Sequence, residues 1–129
     1  MQTMNGRMQN GFTLIELLVV MAIIATLLTI AVPRYFNSVE KSRETVLLQN
    51  LAVTRQALDK YYGDNGKYPN SLDELVGKKY LRSLPVDPIA DSATAWRIVP
   101  PDVPEKGGIF DIKSSAPGNA RDGSEFKDW

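Results

Sequence analysis

Hydrophobic and polar positions divide the chain into stretches of different kinds. Residues 1–11, MQTMNGRMQNG, are polar, with Arg7 the one charged side chain. Residues 12–32, FTLIELLVVMAIIATLLTIAV, are polar only at Thr13, Glu16, Thr26 and Thr29, and neither glycine nor proline interrupts them. Of the 35 Leu, Ile, Val and Phe residues in the chain, 13 fall in this run. The apolar positions lie all round a helix rather than along one stripe, which suits lipid better than the surface of a globular core. As a helix the run rises about 32 Å, close to the thickness of a bilayer's hydrocarbon layer. Pro33 lacks an N–H and clashes with the preceding turn, so the run is expected to end or bend there.

The pattern changes over residues 34–62. Leu47, Leu51, Leu58 and Tyr62 recur at four- and seven-residue steps with Thr54 in the gap, while Glu40, Lys41, Arg43, Glu44, Arg55 and Lys60 occupy other faces. This is an amphipathic helix that lays one face on a globular layer. Gly63-Asp64-Asn65-Gly66 marks its end. Ser71 and Glu74 stand at capping-box spacing and open a short helix that Gly77 is expected to close, with Leu72, Leu75 and Val76 inward. Leu84-Pro85-Val86-Asp87-Pro88 reads as a stiff turn. Two strand candidates follow, residues 95–99 and 109–114, joined by a proline- and glycine-rich loop. The expected fold is α+β, one long helix packed on a small antiparallel sheet.

Composition narrows the function. At 129 residues there is room for one compact domain and an appendage. Fifteen basic and fifteen acidic side chains cancel, which gives no reason to expect a nucleic-acid partner. The chain has no cysteine and no histidine. Disulfides, thiolate nucleophiles, the usual general base and the commonest metal ligand are therefore all missing. Asp87 and Asp91 form the one imaginable carboxylate pair, and a rigid turn explains the first of them better. The composition favours a scaffold over an enzyme.

The apolar run admits three readings. A secretory signal peptide would use Arg7, the apolar residues 17–28 and a cleavage site at Thr29-Ile30-Ala31, but Glu16 interrupts the start of its apolar region. A plain single-pass anchor carries the same liability, because a carboxylate in a spanning helix is costly unless it snorkels to the interface or works. The third reading rests on Gly11-Phe12-Thr13-Leu14-Ile15-Glu16, which follows a short polar leader and opens the apolar helix. This hexapeptide closely resembles the processing site of type IV pilins and of the pseudopilins of type II secretion systems.

That resemblance implies a leader of residues 1–11, removed by a prepilin peptidase that cuts between Gly11 and Phe12 and methylates Phe12. It implies a filament-core and membrane helix over residues 12–33, continued by residues 34–62, and a C-terminal globular part over residues 63–129. Pro33 sits where many family members carry a proline. Glu16, about one turn from the new amine, would pair with the terminal amine of the next subunit, and leaving such charges unpaired in apolar surroundings costs several kcal/mol, on the order of 3–5. Arg34, Lys41 and Arg43 follow the span while only Arg7 precedes it, opposite to a simple positive-inside bias, so orientation rests on the resemblance alone.

Further along, YPNSLDELV, LPVDP and the Asp-Gly-containing tail resemble the major pseudopilin of type II secretion. The implied role is a structural subunit of the bacterial inner membrane with its C-terminal part in the periplasm. It polymerises with copies of itself and with minor pseudopilins on an inner-membrane assembly platform, driving protein export. The alternative is a type IV pilin of surface fibres for adhesion, motility or DNA uptake. Calcium is expected in the C-terminal loop by the same resemblance, with Ser114, Asn119, Asp122 and Asp128 offering hard oxygen ligands. Against it, the loop is short and broken by Pro117, Ala120 and Arg121, and a solvated turn at Asp122-Gly123 with Trp129 packed beneath explains the same residues.

Overall fold

The computed structural model describes Gly11 and residues 13–129; the polar leader over residues 1–10 and Phe12 lie outside the described residues. The chain forms two compact units divided between Val39 and Glu40. Helix α1, Leu14–Asn65, contributes to both.

In the first unit α1 starts from Thr13, whose Oγ1 accepts the Glu16 N–H at 3.1 Å and whose carbonyl accepts the Leu17 N–H at 3.1 Å. Pro33 lies inside the helix and does not end it. It deletes one backbone hydrogen bond, the one to the Thr29 carbonyl, while the turns on either side keep theirs. Every residue from 14 to 38 is exposed, including the apolar run from Leu14 to Val32.

In the second unit residues 40–65 of α1 are amphipathic. The buried stripe is Leu47, Leu51, Thr54, Ala57, Leu58 and Tyr61. The sequence pattern points to Tyr62, but alternating steps of four and three bring Tyr61 beneath the core, 2% exposed, and leave Tyr62 half-buried. Tyr62 stacks instead on Tyr68, with ring centroids 4.5 Å apart. The helix continues past Tyr62 and closes on Gly66, whose N–H donates to the Tyr62 carbonyl from a left-handed backbone, φ +74°.

Helix α2, Leu72–Gly77, is capped by Ser71 Oγ, which accepts the Glu74 N–H at 3.2 Å. The reciprocal half of a capping box is absent, because Glu74 turns its carboxylate to the Asn70 N–H and to the hydroxyl of Tyr61, 2.8 Å away. Lys78 completes this cluster, donating to the Tyr61 hydroxyl at 3.1 Å, a bond that holds its ammonium pKa above the ordinary value. Gly77 does not supply the expected left-handed close. Lys79 does, at φ +67°, and the orphan carbonyls of Leu75 and Val76 are satisfied by the N–H groups of Tyr80 and Lys79.

Strands β1, Arg97–Val99, and β2, Asp111–Lys113, form an antiparallel pair in which Arg97 faces Lys113, Ile98 faces Ile112 and Val99 faces Asp111. Both are shorter than the sequence suggests, since the flanking residues serve the core. Trp96 is buried and donates its indole N–H to the Pro85 carbonyl, and the Ile109 N–H goes to the Pro69 carbonyl rather than across the sheet. The core gathers Leu47, Leu51, Leu58, Leu75, Trp96 and Ile112 with their neighbours between α1, α2 and the sheet. Arg55 on α1 ties the sheet down, its Nε on Asp111 Oδ1 at 2.8 Å and Nη2 on the Ile112 carbonyl.

Candidate processing and assembly site

The residues singled out at the N-terminus sit at the entry to α1. Gly11 is exposed in the left-handed region, φ +84°, and a Cβ built on it would meet open space. Its backbone is thus sterically open, and its conformation is one that L side chains rarely adopt. Phe12, the other side of the expected cut, lies outside the described residues. Thr13 is the N-cap, and its Oγ1 satisfies one of the helix's orphan donors. Thr13-Leu14-Ile15-Glu16 has the spacing of a capping box, a signal that was available in the sequence beside the processing motif. Glu16 is exposed in the first turn, where a carboxylate interacts favourably with the helix dipole. Among the described residues no hydrogen bond or ion pair engages the Glu16 carboxylate. Pro33 is exposed and inside the helix.

From Glu16 onward the helix presents exposed apolar side chains on every side, among them Leu18, Val19, Met21, Ile23, Leu27 and Ile30. Among the described residues of this unit nothing else packs on them. A continuous apolar surface of this extent requires lipid or other helices around it. Length and composition make α1 a candidate membrane span. What the N-terminal unit can do chemically is therefore to insert and associate.

The four residues named for calcium are not brought into one ligand set. Ser114 is fully buried, and its Oγ donates to Asp87 Oδ2 at 2.5 Å and accepts the Ala116 N–H. Asp87, itself 1% exposed, accepts the N–H groups of Ile89 and Ala90 on its other oxygen. The turn lies one step later than LPVDP suggests: Leu84-Pro85-Val86 form no regular element, and the turn spans residues 88–91, closed by paired backbone bonds between Asp87 and Ser92. Asn119, Asp122 and Asp128 are exposed in the tail. Asp122 Oδ1 is occupied by the N–H and hydroxyl of Ser124, at 2.9 and 2.6 Å, and these bonds pull its pKa below the ordinary carboxylate value. The Ala120 carbonyl accepts the Gly123 N–H, with Gly123 at φ +91°, and Asn119 bridges to Glu125. Trp129 stands edge-on to Phe126 and donates its indole N–H to Ser124 Oγ. Among the described residues no group of three acidic side chains converges on one point. As placed, Ser114, Asn119, Asp122 and Asp128 share no common point, and the loop is closed by its own hydrogen bonds.

Residues 6–32 match the family profile described as the prokaryotic N-terminal methylation motif. The type II secretion system core protein G of Aeromonas hydrophila is 34% identical over 101 residues, covering 66% of this chain and 71% of that protein. The core protein G of Pseudomonas aeruginosa is 36% identical with the same coverage. That of Pectobacterium carotovorum is 31% identical over 124 residues, 84% of this chain and 78% of the relative. No solved structure matches.

Proposed function

This chain belongs to the type II secretion core protein G family, and from that membership we propose that it is the membrane-anchored pseudopilin subunit of a secretion pseudopilus, a structural protein rather than an enzyme. The observation that carries the reading is the contrast between the two units. One is a capped helix with apolar side chains exposed on every side, and the other is a small domain with its own closed core. A chain so built stores its apolar half in a bilayer as a monomer and in a helix bundle as a polymer, which is the physical cycle a pilus subunit performs.

In this reading a prepilin peptidase cuts between Gly11 and Phe12 and methylates Phe12. The open, left-handed backbone at Gly11 suits the approach of a peptidase, and the Thr13 cap starts the helix immediately after the cut. The new amine of one subunit pairs with Glu16 of another, and a subunit out of stagger leaves both charges unpaired, so the pair sets the register. The C-terminal unit lies in the periplasm, and the partners are further copies of the chain, minor pseudopilins and an inner-membrane assembly platform. Mass spectrometry of the protein recovered from membranes tests the first step. The expected species starts at a methylated Phe12; a chain starting at Met1 or at Val32 overturns the reading. Glu16→Ala tests the second, since normal filaments from that variant would remove the register role.

A further inference from the structure

Immediately beyond the apolar run, α1 carries Arg34, Tyr35, Phe36 and Asn37, all exposed. Among the described residues outside the run, Tyr35 and Phe36 are the most exposed large hydrophobic side chains, 65% and 59% exposed, and stand edge to face with centroids 5.8 Å apart. Successive residues on a helix are turned by about 100°, so these four wrap most of its circumference within a rise of about 5 Å. A single protein partner of the unassembled subunit would take one face of a helix. A plane that cuts the helix across its axis needs amphipathic groups on all faces at one level, and this is what the four provide.

We propose that Arg34, Tyr35 and Phe36 form a collar that docks in the phospholipid headgroup region and sets how deeply the unassembled subunit sits in the membrane. The two rings bring apolar bodies to the glycerol level, with the Tyr35 hydroxyl facing water, as aromatic belts do. The Arg34 guanidinium meets the lipid phosphates, for which its charge and donor fork are complementary. The spacing gives the collar a consequence at the other end of the span. At about 1.5 Å per residue Glu16 stands about 27 Å from Arg34 along the helix, close to one hydrocarbon thickness of about 30 Å. A collar held at one polar boundary therefore delivers the Glu16 carboxylate to the opposite one. There it stays hydrated until assembly, rather than being drawn into lipid.

The inference rests on the membrane-anchored reading, and the experiment separates the two. The chain has no cysteine, so single Ile24→Cys, Val32→Cys and Asn37→Cys variants of the full chain each take one nitroxide label. The labelled proteins are placed at high dilution in vesicles of phosphatidylethanolamine and phosphatidylglycerol. Depth is read from collision with oxygen against a water-soluble nickel chelate. Labels at 24 and 32 are expected in hydrocarbon and the label at 37 among headgroups. In the Arg34→Gln/Tyr35→Ala/Phe36→Ala background the labels at 32 and 37 should move together by about one turn, about 5 Å. These side chains are exposed, and an unchanged circular dichroism spectrum verifies that the helix is retained. A label at 24 that stays in water overturns the anchor itself. A label at 24 in hydrocarbon with the depth at 37 unchanged by the triple substitution overturns the collar alone. In vesicles of neutral phosphatidylcholine, Arg34→Gln by itself should shift the depth less than in the anionic mixture; equal shifts remove the phosphate contact from the proposal.

Discussion

Gly107 packs against the backbone of Tyr68 so closely that a Cβ built on it would lie inside the carbonyl oxygen, 2.8 Å from the carbonyl carbon and 2.9 Å from the nitrogen. The contact is part of a backbone splice in which the Tyr68 N–H donates to the Lys106 carbonyl, and the N–H groups of Gly108 and Ile109 share the Pro69 carbonyl. This seam joins the segment between α1 and α2 to the loop that leads into β2. Both the space and the conformation exclude a side chain, since Gly107 also has φ +117°.

Gly107→Ala should therefore cost about 3 kcal/mol or more, combining backbone strain with an overpacked contact that only main-chain movement can relieve. Gly123→Ala is the control. Gly123 has a similar positive φ of +91° but open space around its Cβ position, so the loss should be limited to about 1–2 kcal/mol. Urea unfolding of the full chain in detergent, followed by tryptophan fluorescence, compares the two. Equal losses would mean that the Tyr68 contact contributes nothing beyond the dihedral.

Lys79 ends α2 in the left-handed region without the glycine that such a position normally carries. Lys79→Gly should stabilise the protein by about 0.5 kcal/mol, because relief of about 1 kcal/mol of left-handed strain exceeds the extra chain entropy of glycine. That is a rise of about 2–4 °C in the thermal midpoint. Lys79→Val should do the reverse, as a β-branched residue tolerates positive φ least. A midpoint that rises for neither variant would show that the Lys79 side chain has an offsetting role.

The long-period features of this fold were legible along the chain, and the point contacts were not. Leu47, Leu51 and Leu58 announce the buried face of α1 by spacing, and Ser71 announces α2 by its cap. The spacing points to Tyr62 while the fold buries Tyr61, because one residue of helical phase is within the slack of an apolar stripe. Gly77 looked like the close of α2, yet which carbonyls remained orphaned decided the matter in favour of Lys79. The Gly107–Tyr68 and Asp87–Ser114 contacts join residues far apart in the chain, and nothing local marks either partner. Thr13 differs, since its capping spacing to Glu16 was in plain view but overshadowed by the processing motif that contains it.

Ser114, one of the four residues named for calcium, is engaged by the buried Asp87 carboxylate instead. Asp87→Ala strands the N–H groups of Ile89 and Ala90 and the Ser114 hydroxyl at once, and should cost about 3 kcal/mol or more. Ser114→Ala, which strands one carboxylate oxygen and the Ala116 N–H, should cost less, about 1–3 kcal/mol. The thermal midpoint of the unmodified chain should be the same in calcium and in chelator. A midpoint raised by calcium and lowered again by chelator would mean that the loop rearranges to form a ligand shell.

The acid limb of stability should carry the signature of Asp122. Its carboxylate accepts both the hydroxyl and the N–H of Ser124, which lowers its folded pKa below the ordinary 3.8. A depressed acid contributes stability in full above its ordinary value and loses it as the pH falls through the lower folded one. Asp122→Asn retains an oxygen acceptor for the turn but has no charge to lose. Wild type and variant should differ most near neutral pH and converge once the pH has fallen below the lowered pKa of Asp122, the variant falling less steeply on the way. Because Asp122 is exposed, solvent screening keeps the difference small, so it is best read as the change in slope of urea midpoint against pH. Parallel slopes, with a constant offset between the two proteins, would show that the turn at Asp122 is held by shape alone and that its charge plays no part.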